Sequence, residues 1–401
     1  MSHGPALSLV EGSWVLKAPN ILTLQGPVLK DHAIVIEQDL IKQILPQKEL
    51  SGQKNCLDLP QTLLLPGLVN AHCHLELSRL PEALPYPGSF AGWIEQLSRL
   101  KLQMTPEQVT AAIRQGIQKL LAGGTTTVAD HASVGTDLEP LFNSPLDCVS
   151  YIEVLGMKTD RARRFYEQAL AKQNTHIIPT PHAPYSLLPE IFSKLTAPHL
   201  SVHVAESAEE YLLFKENRGP LFEFLASKGK TPPTIGESPL HYLHRMKLLA
   251  PRTMAVHANY LDDADVELLQ KYQMSVVHCP GSHAYFGHDR FPLGLLQDAG
   301  VNVALGTDSL ASNHSLSMFE QMRLALDAYA ELTPEAVLRM ATLHGAEALG
   351  MAKEIGSLAV GKRANLVGVP MRYPKKSLVE NAVFGEKISF SMIRGQVLPS
   401  P

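Results

Sequence analysis

Cysteine, tryptophan and charged side chains are all scarce in this chain of 401 residues, and each shortage excludes something. The four cysteines, Cys56, Cys73, Cys148 and Cys279, are scattered and form no CxxC pair. That rules out a disulfide scaffold and fits a reducing cytoplasm. Charged residues make up 18%, with 35 basic against 39 acidic and a formal net charge of -4. No block of like charge stands out, so nothing points to nucleic acid or an acidic lipid surface. No stretch approaches the ~18 consecutive apolar residues of a membrane helix. The opening Met1-Ser2-His3-Gly4-Pro5 lacks the basic start and apolar run of a secretory signal. The glycine-rich dinucleotide fingerprint is missing too. A small-molecule partner is expected, without nucleic acid or membrane, and a homodimer is left open.

What the chain has is an apolar content of 45%, enough for a sizeable core, and 17 histidines. Its two ends read as short strands punctuated by glycine and proline. At the start these are Ser13–Leu16, Ala33–Ile36 and Leu40–Leu45; at the end, Asn365–Val369, Asn381–Phe384 and Ile388–Val397. Between them, strands alternate with helical stretches such as Glu107–Leu121, which Gly123-Gly124 stops, and Asp263–Tyr272. Eight strand candidates begin at Leu63–Asn70, Thr125–Ala129, Cys148–Glu153 and His176–Thr180, and continue through Leu200–Val204, Thr253–His257, Met274–His278 and Val301–Leu305. The expected fold is α/β: a (β/α)8 TIM barrel over residues 65–354, with a small β-sandwich from residues 1–64 and 355–401. A doubly wound sheet is the alternative.

Catalytic groups of such barrels stand at the C-terminal ends of the strands. Here those ends carry His72 and His74, then His182, His203, His257, His278 with His283, and finally Asp308. Imidazoles at the tips of buried strands are costly unless they bind something. His72 and His74 are two apart, so a strand points both to the same face. With His203 and Asp308 they make a ligand set for a divalent metal, with room for a water whose pKa the metal lowers toward neutral. The strand-four stretch from His176 to Leu188 has no lysine to bridge a second metal, and Lys158 and Lys172 lie outside it, so one metal is expected. Glu206, three residues past His203, is placed to protonate a substrate ring nitrogen, and His257 to orient the attacking water. Asp308 is placed to take that water's proton. The bland readings are a capping or solvated glutamate beside Glu209 and Glu210, and core histidines bonded to backbone.

Four stretches resemble the amidohydrolase superfamily: Pro66-Gly67-Leu68-Val69-Asn70-Ala71-His72-Cys73-His74, His203-Val204-Ala205-Glu206, Val256-His257-Ala258-Asn259-Tyr260-Leu261 and Gly306-Thr307-Asp308-Ser309. The likeness is to its nucleoside- and heterocycle-deaminating branch, which includes chlorohydrolases, and it extends to Pro181-His182-Ala183-Pro184-Tyr185. The resemblance implies one divalent metal, zinc or else iron, on His72, His74, His203 and Asp308. It implies Glu206 as proton shuttle, His257 as water-orienting residue and His182 as substrate contact. The implied reaction is hydrolytic deamination of an aminated heterocycle such as aminofutalosine or methylthioadenosine/adenosylhomocysteine. One departure is His283, where relatives commonly have asparagine after the serine.

The segment Leu75 to Leu102, holding Arg79, Tyr86, Phe90 and Trp93, is expected to shape the pocket, with Trp93 and His283 as substrate contacts. Arg218 and Arg290 are candidates for a substrate carboxylate. Chloride release or cyclic amide hydrolysis on the same site is the enzymatic alternative, and a non-catalytic metal-binding protein the other. The zinc deaminases of nucleic-acid bases, which use a PCxxC signature, are excluded because Cys279-Pro280 does not continue it.

Overall fold

The two ends of the chain meet in one sheet, and the middle closes into a barrel. The computed structural model describes residues 13–50, 55–79, 83–195, 199–230 and 236–399; the first five residues, read above for a signal, lie outside them. The terminal sheet has eight strands. Ser13–Ile21, Leu29–Glu37, Leu40–Pro46, Cys56–Asp58 and Thr62–Pro66 come from the start, and Leu366–Pro370, Phe390–Ile393 and Gln396–Val397 from the end. Thr62–Pro66 is the seam: it runs parallel to Ser13–Ile21 on one side and antiparallel to Leu366–Pro370 on the other. Alternation sends Leu16, Ile34 and Ile36 into one apolar cluster with Leu64, Leu366 and Met392, and Val15, Ala33 and Val35 to the opposite face.

Two sequence expectations are corrected. Asn381–Phe384 is not a strand but part of a helix, Leu378–Val383. Its start is a capping box in which Ser377 Oγ accepts the Glu380 amide and the Glu380 carboxylate accepts the Ser377 amide. That local signal outweighs the β-prone residues after it. Leu63–Asn70 is two strands, not one, because the chain turns at Pro66-Gly67 from sheet to barrel. No side chain fits there: a Cβ on Gly67 would stand 2.1 Å from Thr126 Oγ1.

The barrel strands are β1 (Leu68–Cys73), β2 (Thr125–Ser133), β3 (Asp147–Val154), β4 (Ile177–Pro181), β5 (Ser201–Val204), β6 (Met254–His257), β7 (Ser275–His278) and β8 (Asn302–Leu305). They form two parallel ladders, β1 to β4 and β5 to β8. Helices fill the connections; Pro106–Ala122, opened by a Thr105–Gln108 capping box, buries Ile113, Ile117 and Leu120. Among the described residues no helix is long and apolar enough to cross a membrane.

The ladders join through seams made by residues at the strand ends. Between β4 and β5, the His203 amide donates to the His182 carbonyl (3.0 Å) and Thr180 Oγ1 to the Ser201 carbonyl (2.7 Å). Between β8 and β1, the amides of Thr307 and Asp308 donate to the His72 carbonyl at 3.0 and 3.1 Å. Asn70 staples this second seam: its Nδ2 donates to Thr307 Oγ1 (2.8 Å), and its Oδ1 accepts the amides of Thr307 (3.1 Å) and His72 (3.3 Å). Asn70 and Thr307 are both fully buried. We expect Asn70→Ala to leave those donors unpaired and to cost roughly 1–3 kcal/mol, measured by denaturant unfolding. Parental stability in that variant would refute the staple.

Candidate metal centre and active site

Alternation along β1 turns His72 and His74 to one side, and the β8–β1 seam brings Asp308 to them. Asp308 Oδ1 is 3.5 Å from His72 Nε2 and 3.6 Å from His74 Nε2. Across the barrel mouth, β5 supplies His203, whose Nε2 faces His74 Nε2 at 3.3 Å. The outer nitrogens are engaged elsewhere. His74 Nδ1 donates to the His131 carbonyl (2.9 Å) and His203 Nδ1 to the His182 carbonyl (3.1 Å). A ring nitrogen facing a carbonyl must carry the proton, so both Nε2 atoms present lone pairs. Two lone pairs at 3.3 Å repel unless a cation stands between them. His72 is fully buried and neither of its ring nitrogens has a hydrogen-bond partner.

The protonation states agree. Burial pushes His74 down to about 4 and His203 well below the usual histidine range, so both are neutral. Burial would raise the Asp308 carboxyl, but contact with His72 and the other imidazoles outweighs it and keeps the group ionised. Its Oδ2 accepts from the hydroxyls of Ser282 (2.7 Å) and Ser312 (2.8 Å), leaving Oδ1 to the cluster. Three imidazoles, two of them held neutral, and one held carboxylate are the donor set of a divalent cation site.

Glu206 and His257 flank this set. His257 ends β6, and its Nε2, otherwise without a partner, lies 3.5 Å from Glu206 Oε1. One ligand atom from each of Glu206, His257 and Asp308 lies within 4.8 Å of the others. Burial, then repulsion from Asp308 and Glu210, raises the Glu206 carboxyl well above the ordinary range and favours its protonated form. Backbone strain concentrates here: Ala205, His257, Ala258 and Asp308 have φ of 51°, 69°, 48° and 56° without being glycine.

The other expected contacts are placed less uniformly. The half-buried His182 ring stacks 4.9 Å from His203, with Nδ1 on Ser186 Oγ at 3.0 Å. Trp93, on the helix Phe90–Gln103, is buried edge-on against Phe286 at 4.9 Å. His283 spends Nε2 on the Asp289 carbonyl (2.9 Å). Arg218 and Arg290 pair with Glu216 and Glu331 at the surface, their side chains 61% and 66% exposed.

Burial pushes His182 down to about 3, with His74 and then Lys101 adding to it, and Lys101 adds in the same direction to the burial of His74. Lys101 Nζ lies 2.6 Å from the buried carboxylate of Glu76, which also accepts from Ser133 and Thr136. Sequence reading missed Lys101, as it missed Glu153, whose Oε1 is 3.4 Å from His203 Nδ1, and His131, whose ring is 4.2 Å from that of His72. The one sequence signal was Glu76, two residues past His74, which the structure places in a single helical turn, Leu75–Leu77, just beyond β1. The half-buried Glu209 carboxylate accepts the amides of Phe90 (2.7 Å) and Ala91 (3.0 Å), tying the helix Phe90–Gln103 to the helix Ala208–Glu216 after β5.

The absence of a bridging lysine and a single set of converging nitrogens lead us to expect about one transition metal per chain by elemental analysis. Two metals in an active preparation would overturn the mononuclear site.

Known proteins agree with this architecture. The model of the Amidohydrolase family matches residues 63–398. The 5-methylthioadenosine/S-adenosylhomocysteine deaminase of Syntrophobacter fumaroxidans is 30% identical, over 90% of this chain and 86% of that one. A zinc-bound adenosine deaminase from Xanthomonas campestris superposes with a TM-score of 0.79 at 25% identity, covering 96% of this chain and 92% of its own. Helicobacter pylori aminofutalosine deaminase in complex with methylthio-coformycin has the same fold, with a TM-score of 0.83 at 22% identity, covering 96% of this chain and 100% of its own. With the match running from the sheet-to-barrel turn to the closing strands, the chain belongs to the amidohydrolase family.

Proposed function

We propose that this protein is a hydrolytic deaminase that releases ammonia from an aminated purine nucleoside, with aminofutalosine and methylthioadenosine/adenosylhomocysteine as the first substrates to test. The observation that carries this reading is Glu206: a buried carboxyl 3.5 Å from His257 and beside the ligand cluster, in surroundings that favour its protonated form. The deaminase names of the relatives support it. His72, His74, His203 and Asp308 would hold one divalent cation, zinc in our reading by analogy with the Xanthomonas enzyme. Such an ion supplies Lewis acidity and lowers the pKa of water toward neutral.

The residues of the chain do the rest. Water adds to the ring carbon bearing the amine, and electron density moves onto the neighbouring ring nitrogen. Glu206 gives that nitrogen its proton. His257, neutral because burial depresses it, presents Nε2 toward Glu206 and the reacting centre. Asp308, fixed by Ser282 and Ser312, takes one proton of the attacking water and passes it to the amine, which leaves as ammonia when its bond to the ring carbon breaks; the adduct's hydroxyl proton returns to Glu206 as the carbonyl forms. His182 and Trp93 are assigned to the substrate side, and His283 as a weaker contact. The barrel (65–354) carries all of these groups, and the terminal segments (1–64 and 355–401) brace it.

Two substitutions test the roles. Glu206→Gln keeps shape and hydrogen bonding but has no acid proton; its turnover should fall roughly 10²–10⁴-fold, about 3–5 kcal/mol of barrier, with metal content unchanged. Full activity, or loss of the metal, would remove Glu206 from this role. Asp308→Asn fills the same space without being a base, so a folded protein with almost no turnover is expected; activity within a few fold of the parent would contradict it. In a screen of aminopurine nucleosides and aminotriazines, release of chloride or amide cleavage without any ammonia would overturn the deaminase reading itself.

A further inference from the structure

The loop that carries Glu206 is held by a carboxylate that no step of the proposed chemistry uses. Glu210 sits one helical turn on, in the helix Ala208–Glu216, with no exposed surface. Ser207-Ala208-Glu209-Glu210 has the S-x-x-E pattern of a capping box, and Ser207 Oγ does accept the Glu210 amide at 3.1 Å. The glutamate does not return to the Ser207 amide, as that motif requires. It reaches one residue further, and its Oε2 accepts the amide of Glu206 at 2.8 Å, with the Ala205 amide beside it. Its Oε1 is buried without a partner. Burial raises this carboxyl to about 8 against the pull of the two amides; a buried acid with an unpartnered oxygen is costly, and a helix cap alone does not require it.

The same two residues are gripped from the β6 side. Asn259 Nδ2 donates to the Glu206 carbonyl (2.8 Å), and the amides of Asn259 and Tyr260 donate to the Ala205 carbonyl (2.9 and 3.1 Å). Between these grips Ala205 is forced to φ 51°, left-handed without being glycine. Such a conformation persists only where its surroundings over-determine it. Glu206 itself has no hydrogen bond through its carboxylate other than the approach to His257, so its direction is set by its own backbone.

We infer that Glu210 is a positioning residue for proton transfer: by accepting the Glu206 amide it holds the strained Ala205–Glu206 turn and so aims the Glu206 carboxyl at the reacting centre. Asn259 is the opposing clamp. This rests on Glu206 being the proton donor. A displacement of about 1 Å in a catalytic group costs on the order of 10²-fold in rate.

The test is a double-mutant cycle in the ammonia-release assay, with metal content followed throughout. Glu210→Gln still offers an acceptor to the Glu206 amide and should stay within a few fold of the parent. Glu210→Met fills the same volume without an acceptor; kcat should fall on the order of 10²-fold, with KM within a few fold and the metal retained. Introduced into the Glu206→Gln background, Glu210→Met should cost nothing further. Parental kcat in Glu210→Met, or the same factor lost in both backgrounds, overturns the inference. If Glu210→Met does not fold, Asn259→Leu takes its place in the cycle under the same two outcomes. Full activity in Glu206→Gln alone would instead remove the donor reading, and is told apart because it appears before Glu210 is touched.

Discussion

Lone pairs pointing at one another inside a protein are the constraint on which this structure turns. His74 and His203 each give away their Nδ1 proton to a backbone carbonyl, so their Nε2 atoms must meet unprotonated, with an ionised aspartate oxygen beside them. All three side chains are nearly buried, and among the described residues no donor is directed at the two Nε2 atoms. Only a cation converts the repulsion into binding. The energetic cost of assembling the set without the ion is therefore carried by the rest of the barrel. The seams that close the barrel are made by the backbone of His72, His182 and His203, so closure and ligand placement are one event. Asn70 and Thr307 spend buried hydrogen bonds at that junction, where a purely apolar staple would leave the strand-end amides unpaired.

Around the ligands stands a second layer of charge, its two carboxyls buried and its lysine partly so. Glu76 and Lys101 neutralise each other; Glu153, raised to about 8 chiefly by burial, stands behind His203 and His74. Lys101 lies on the helix Phe90–Gln103, whose other end is capped by Glu209 from the helix Ala208–Glu216. One helix thus links the β1 rim to the element that follows Glu206, and Trp93 hangs from it. Trp93 and the Glu206 turn share a single mechanical support.

Much of this was legible in the residues. The i, i+2 spacing of His72 and His74 needs only strand geometry, and Glu206, His257 and Asp308 announce themselves as polar groups at the ends of apolar strands. The alternation of strands and helices was readable because each helix carries its own stop and start signals, Gly123-Gly124 and Thr105–Gln108 among them. What could not be read depends on packing. Lys101 and Arg290 look alike in sequence; one is drawn to a buried glutamate and the other to a surface one. Glu210 reads as an ordinary capping residue until the displaced hydrogen bond is seen. The helix at Leu378–Val383 and the break at Gly67 were signalled, by a capping box and by Pro-Gly, but those signals competed with β-prone neighbours. Backbone strain at Ala205 and His257 has no sequence mark at all.

The terminal sheet has a consequence for biosynthesis. Its seam strand, Thr62–Pro66, is fully apolar through Leu63-Leu64-Leu65 and lies between Ser13–Ile21 and Leu366–Pro370. A ribosome delivers the first partner early and the second only after the whole barrel has been made. Throughout that interval the nascent chain carries an open hydrogen-bonding edge next to an apolar strand, the template from which intermolecular strand pairing starts. Truncation near the C-terminus removes no catalytic group, yet it makes that exposure permanent. Loss of the last few dozen residues would therefore register first as aggregation during expression, with the metal ligands intact.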